Sequence, residues 1–310
     1  MHESSMTEES TTGVYGAPPQ ELADVPRGAI QFSPLVPGSA ALERRPDASL
    51  DAMVMLAPPG TIERRFEIAQ ALRALKPGAS FTVMAPKDKG GSRLAKELRG
   101  FGCEIHETPL RHHRVCVATR PDELVGLAEA LEAGAQQFVP ETGLWSQPGV
   151  FSWNRIDPGS ALLLKHLPVL SGRGADFGCG LGYLARAVLA GDTVTSLLML
   201  DIDRRATEAA ARNVVDPRAD IRWVDLRSAR DLPADLDFVV MNPPFHDGGA
   251  EDRALGQTFI RRAAESLAKG GRCWLTANRH LPYEEPLKAL FARSTLVAEA
   301  DGFKIYEARK

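Results

Sequence analysis

Cysteine is scarce in this 310-residue chain. There are four, Cys103, Cys116, Cys179 and Cys273, and no two stand in the C-x-x-C spacing of a zinc or dithiol site. That excludes a disulfide-stapled scaffold and predicts four reduced thiols, no bound metal and a cytoplasmic setting. Long apolar runs are missing as well: none approaches the roughly 20 residues that cross a bilayer, so no membrane association is expected. The opening MHESSMTEESTTG has neither the apolar stretch of a signal peptide nor the arginines of a transit peptide. An excess of one charge is also lacking, since 37 Lys+Arg against 40 Asp+Glu leave a formal net charge of −3 at pH 7. That balance excludes a generally basic nucleic-acid coat but allows a local basic face.

What is present is the composition of a globular protein, 44% hydrophobic and 25% charged, in a chain longer than one core comfortably fills. Two domains are therefore expected. Residues 1–20 are polar and aperiodic and read as a disordered tail, followed by domains at 21–138 and 139–310. In the first domain, SLDAMVMLA (49–57) reads as a strand stopped by Pro58-Pro59-Gly60. A helical stripe follows (Ile62, Phe66, Ala69, Leu72, Leu75), then a strand at 81–85, a helix marked by Leu94, Leu98 and Phe101, and a strand at 114–119. Alternation of this kind predicts an α/β fold with a mostly parallel sheet and helices on both faces.

The last third of the chain repeats the pattern. DLDFVVMNPPF (235–245) matches SLDAMVMLAPP (49–59), and LAKGGRCWLTA (267–277) matches LKPGASFTVMA (75–85), with Gly78 and Gly270 192 positions apart. FKIYEAR (303–309) matches HRVCVAT (113–119) at 190. Near-constant offsets predict an internal duplication, two related Rossmann-like domains in tandem. The copies differ where chemistry would sit. Asn242 precedes the prolines of the second copy, where the first has Leu56-Ala57, and no glycine-rich strand end is visible before residue 49.

That glycine-rich element is Asp176-Phe177-Gly178-Cys179-Gly180-Leu181-Gly182, after a short strand and before a helix beginning near Tyr183. Tyr183 stands where a dinucleotide fingerprint needs its third glycine, and no Gly-Lys-Ser/Thr closes the loop as in a P-loop. Asp176 would repel a pyrophosphate but suits a ligand with an ammonium group. Asp201 closes the apolar run 196–200, placed for two ribose hydroxyls, and Asp225 reads as the end of a third strand, placed for an adenine edge. Each of these two acids also fits an ordinary helix N-cap or a solvated loop. Taken together and in this order, they predict bound S-adenosylmethionine.

Asn242-Pro243-Pro244-Phe245 follows the strand 237–241, on the side of a parallel sheet where ligands bind. An exocyclic amine on a planar ring is a poor nucleophile. The Asn242 side-chain carbonyl and the Pro243 backbone carbonyl are suited to hold its two N–H groups, and Phe245 offers a stacking face. His246 is available to take a proton, although a solvated loop histidine fits as well.

On these residues the chain resembles the ribosomal RNA small-subunit methyltransferase C family and its large-subunit relative. The shared stretches are GVFSWNRIDPGSALLLKHLP (149–168), DFGCGLGYLA (176–185), LDIDRRATEAA (200–210), VMNPPFHDG (240–248) and TANRHLPYEEPL (276–287). The resemblance implies two tandem class I methyltransferase domains, the N-terminal one degenerate, and methylation of guanine N2 in ribosomal RNA or an assembled subunit; a monomer is expected. It implies that Asp176, Gly178, Gly180 and Gly182 line the methionine, that Asp201 and Asp225 meet ribose and adenine, and that Asn242, Pro243 and Phe245 hold the guanine. Adenine N6, a protein glutamine, or a non-catalytic role in ribosome assembly are the alternatives. For RNA, Arg64-Arg65, Arg111-His112-His113-Arg114, Arg261-Arg262 with Lys269 and Arg272, and Arg279-His280 are candidates for a discontinuous basic face, although each also fits an ordinary solvated surface.

Overall fold

The computed structural model describes residues 11–244, 246–247, 250–251 and 253–310, and it divides into two compact units between Ala135 and Gln136. The N-terminal unit contains β1 (Thr12–Tyr15), β2 (Ile30–Gln31), β3 (Leu50–Leu56), α1 (Thr61–Ala74), β4 (Leu75–Pro86), α2 (Ser92–Gly100), β5 (Glu104–Leu110), β6 (His113–Thr119) and α3 (Leu127–Gly134). Its sheet runs β2-β1-β3-β4-β6-β5, parallel as far as β4 and antiparallel from β6 onward. Phe66, Ala69 and Leu72 of α1 are buried as their spacing predicts, whereas Ile62 is exposed and Leu75 already belongs to β4.

The disordered tail expected to residue 20 is corrected by β1. Thr12–Tyr15 pair in parallel with Ala52–Met55, Thr11 N donates to Asp51 Oδ2 at 2.7 Å, and Val14 and Tyr15 are buried. Two apolar residues among Ser, Thr and Gly give no periodicity; the ladder to β3 makes the strand. Residues 1–10 lie outside the described residues.

The C-terminal unit begins with the hairpin β7 (Gln137–Val139) and β8 (Leu144–Ser146). Then come α4 (Pro158–His166), β9 (Gly172–Phe177), α5 (Tyr183–Val188), β10 (Val194–Asp201), α6 (Arg204–Asn213), β11 (Ala219–Trp223) and β12 (Leu236–Met241). The short pair β13 (His246–Asp247) and β14 (Ala250–Glu251) leads to α7 (Arg253–Ser266), β15 (Leu267–Asn278), α8 (Glu284–Leu290), β16 (Arg293–Ala300) and β17 (Phe303–Arg309). The main sheet runs β11-β10-β9-β12-β15-β17-β16, again parallel until its last two strands. Separate apolar clusters cover its two faces, one with Phe259, Ile260 and Leu287, the other with Leu163, Leu184 and Ala210. Strands buried on both sides read as the apolar runs seen in the sequence.

Strand order and direction are the same in the two units, except that among the described residues the N-terminal one has no strand in the place of β11. The likeness extends to irregularities. β3 meets β4 with a register shift between Leu50 and Ala52, and β12 meets β15 with one between Leu236 and Phe238. Gly78 N donates to Arg120 O at 2.9 Å and Gly270 N to Lys310 O at 2.8 Å. Shared irregularities of this kind are not required by the fold class, and they support common descent of the two halves. The strand order also shows that β1, followed by Gly16 at φ +75°, takes the sheet position of β9, without the run of glycines that follows β9.

Candidate functional site

In the C-terminal unit the ends of β9, β10 and β12 lie side by side, Phe177 pairing with Leu200 and with Met241. This brings the glycine loop, Asp201 and Asn242 to one edge of the sheet. Gly178 N and Cys179 N both donate to Leu200 O, at 2.8 and 2.9 Å, and Gly182 N donates to Cys179 O at 2.8 Å. The turn needs φ of +74°, +51° and +81° at Gly178, Gly180 and Gly182, a region costly to residues with a Cβ. A Cβ on Gly180 would enter open space, while one on Gly182 would press on Val214 at 2.8 Å.

Asp176, the last but one residue of β9, is fully buried, and neither carboxylate oxygen has a hydrogen-bond partner among the described residues. Burial, with the neighbouring Asp201, pushes its carboxyl up to about 8 against a weaker pull from the Ala185 backbone amide, which lies outside hydrogen-bond geometry. Such an orphan is unfavourable unless a ligand supplies the missing donors. Asp201 Oδ2 accepts from Gly180 N and Oδ1 from Asp203 N, both at 2.8 Å. Burial raises its carboxyl to about 6 against the opposite pull of those amides. Three backbone amides, of Gly180, Ile202 and Asp203, thus draw on it, and since a carboxylate offers about four acceptor positions some capacity remains for a ligand.

Asp225 is placed differently. β11 ends at Trp223, and Asp225 lies in the turn beyond it, tied to the site by Val224 N donating to Asp201 O at 2.8 Å. Its carboxylate is already engaged by Arg227, whose backbone N and Nε both donate to Oδ1 at 2.9 Å. The acid predicted at a strand end is therefore an Asx-turn residue in an ion pair.

Asn242 follows β12 and is held by two side chains that sequence reasoning did not single out. Its Nδ2 donates to Asp157 Oδ1 at 2.8 Å and to Ser160 Oγ at 3.0 Å. Because a carboxylate only accepts, the amide nitrogen faces Asp157, and the Asn242 carbonyl oxygen is left to accept from a ligand. Asp157 is the N-cap of α4, its Oδ1 also accepting from Ser160 N at 2.7 Å, with Pro158 as the first helical residue. The Asp-Pro-x-Ser string carries that capping signal in the sequence; the bond to Asn242 leaves no local trace. A cleft of about 210 Å³ lies beside Asn242 and Pro243, bounded also by Asp157, Phe151, Leu281 and Phe303. Phe151, also unforeseen, leaves 60% of its surface exposed there. Phe245 lies outside the described residues, as does the side chain of His246.

The expected basic face is weaker than its residues suggested. Arg64 is fully buried and paired with Glu97, its Nε and Nη2 each donating at 2.7 Å. Arg111 pairs with Glu21, Arg114 with Glu107, Arg261 and Arg262 with Glu265, Arg272 with Glu307 and Arg279 with Glu299. Local carboxylates thus offset much of this charge. No described helix is long and apolar enough to cross a membrane.

The sequence model of the methyltransferase small domain matches residues 141–307. The ribosomal RNA small subunit methyltransferase C of Pseudomonas entomophila (strain L48) is 31% identical over 280 residues, covering 86% of this chain and 81% of that protein. The protein of the same description from Pseudomonas aeruginosa (strain LESB58) is 32% identical over 290 residues, covering 90% and 86%. Among solved structures, the T. thermophilus 16S rRNA N2 G1207 methyltransferase (RsmC), in complex with AdoMet and guanosine, superimposes with a TM-score of 0.77 at 22% identity. That superposition covers 97% of this chain and 88% of the other, and it shows a shared fold. By sequence over nearly its whole length, the chain belongs to the ribosomal RNA small subunit methyltransferase C family.

Proposed function

We propose that this protein transfers a methyl group from S-adenosylmethionine to the exocyclic N2 of a guanine in ribosomal RNA. The observation that carries this reading is the fixed orientation of Asn242, whose carbonyl is presented beside a glycine cradle with an orphaned acid. The orphaned carboxylate of Asp176 and the open space at Gly180 fit the ammonium-bearing end of the cofactor. When bound, S-adenosylmethionine supplies an electrophilic sulfonium methyl. Asp176, Gly178, Gly180 and Gly182 hold its methionine part, the free acceptor positions of Asp201 take ribose hydroxyls, and Asp225 borders the adenine.

The protein's own part in the chemistry is positioning. Asn242 Oδ1 and the Pro243 carbonyl accept the two amine hydrogens, which aims the nitrogen lone pair and favours the charge that develops there. Phe245 supplies a stacking face. The extra proton on the methylated nitrogen is lost to solvent, so no covalent nucleophile is needed.

The N-terminal domain, which includes β1 and ends at Ala135 rather than at 138, acts without a cofactor site. Register places Leu56 where the other copy has Asn242, since Met55 pairs with Val83 and Met241 with Leu275. The carbonyls of Pro58 and Pro59 accept from Arg64 Nη1, at 3.3 and 2.7 Å, so they are filled from within. The catalytic domain, which begins at Gln136 with β7 rather than at 139, is taken to work in the cytoplasm, within a monomer. Calorimetric titration with S-adenosylmethionine tests the reading: binding is expected, and its absence would overturn it.

A further inference from the structure

Asp157 contributes more to the site than a helix cap. Its Oδ1 is occupied twice, by Ser160 N at 2.7 Å and Asn242 Nδ2 at 2.8 Å, while Oδ2 has no hydrogen bond among the described residues. The residue is only half-buried, and it lines the same cleft as Asn242 and Pro243. Both residues line the cleft, and the side-chain acceptors they leave unengaged among the described residues are Asn242 Oδ1 and Asp157 Oδ2.

Three RNA bases carry an exocyclic amine. In adenine and cytosine the ring nitrogen beside that amine on the pairing edge is a bare acceptor. In guanine it is N1–H, a donor. An amine acceptor flanked by a carboxylate oxygen is therefore complementary to guanine alone; adenine or cytosine would set a lone pair against the carboxylate.

We propose that Asp157 selects guanine, its Oδ1 orienting Asn242 and its Oδ2 accepting N1–H next to the amine that is methylated. The proposal rests on the methyltransferase reading given above. It gives one residue two tasks, because the oxygen that caps α4 also fixes the amide, and the other oxygen reads the base. Ser160 completes the arrangement from the first turn of the same helix, its buried Oγ accepting the second amide hydrogen of Asn242.

Asp157→Asn separates the two tasks. An asparagine keeps an acceptor oxygen for Ser160 N and Asn242 Nδ2 and remains a good N-cap, but it replaces the free oxygen with a donor. The probes are guanosine and 2-aminopurine riboside, which both carry the 2-amine; only guanosine has N1–H. They are titrated into the full chain loaded with S-adenosylhomocysteine. The wild type is expected to favour guanosine by about tenfold or more. In Asp157→Asn that preference should shrink at least about tenfold or invert, with S-adenosylhomocysteine affinity unchanged. A variant that keeps the full guanosine preference overturns the role of Asp157 while leaving the methyltransferase reading intact. A wild type that binds S-adenosylhomocysteine but shows no guanosine preference overturns guanine selection at this site. A wild type that binds no S-adenosylhomocysteine overturns the underlying reading.

Discussion

Asn242 Nδ2 donates to Asp157 Oδ1 at 2.8 Å, and this bond decides which end of the amide is left for a ligand. If the free carbonyl then holds the target amine, Asn242→Ala should lower kcat by roughly 10²–10³-fold, as for loss of one preorganised polar contact in other enzymes. Cofactor affinity should stay at the wild-type value, because Asn242 is placed on the amine rather than on the cofactor. Single-turnover transfer and calorimetry measure the two separately; unchanged transfer would remove Asn242 from the chemistry.

Asp176 predicts a proton linkage. With its carboxyl at about 8, it carries a proton in the empty protein at pH 6.5, whereas an ammonium ligand favours the carboxylate. Cofactor binding at pH 6.5 should therefore release a proton, seen as a binding enthalpy that changes with the ionisation enthalpy of the buffer. A buffer-independent enthalpy would contradict this. The same shift makes the empty native state hold more protons than the unfolded chain between about pH 4 and 8. Its stability should accordingly fall as pH rises through that window, and Asp176→Asn should flatten the dependence.

Two glycines of one loop should fail in different ways. Gly182→Ala meets Val214 at 2.8 Å as well as a φ of +81°, so it should destabilise the fold, by about 1–3 kcal/mol. Gly180→Ala meets nothing and has the milder φ of +51°, so its effect should appear mainly as weaker cofactor binding. Thermal melts with and without S-adenosylhomocysteine separate the two cases. Equal ligand-induced stabilisation of Gly180→Ala and the wild type would remove that glycine from the cradle.

Arg64 and Glu97 provide a test of the N-terminal unit. The guanidinium is fully buried and holds both a carboxylate and the Pro58 and Pro59 carbonyls. Arg64→Ala leaves a buried charge unpaired and should cost about 3–5 kcal/mol, whereas an apolar double replacement of Arg64 and Glu97 should cost much less. Denaturant melts read both. An Arg64→Ala variant as stable as the wild type would mean that the pair is not what fills this loop.

Much of this was legible in the sequence because it is local. Central strands buried on both faces appear as apolar runs, and the glycines and Asn-Pro-Pro advertise their backbone needs directly. β1 was not legible, because four residues with two apolar side chains become a strand only through β3. The exposed edge strand β5, with no buried residue, carries no alternation to detect. Asp157 and Ser160 were hidden for a different reason: their bonds to Asn242 span 85 and 82 positions, and only their capping role has a local signature. Whether the arginine clusters form a basic face is not legible either, because a sequence shows arginines but not the carboxylates folded beside them.

The measurement that bears most directly on the account is transfer of a labelled methyl group from S-adenosylmethionine to naked ribosomal RNA, to each ribosomal subunit and to total protein, followed by nucleoside analysis. Label is expected in ribosomal RNA as N2-methylguanosine, lost in Asn242→Ala. Label recovered as N6-methyladenosine or in protein glutamine, or no transfer to any of these substrates by protein that binds the cofactor, would contradict it.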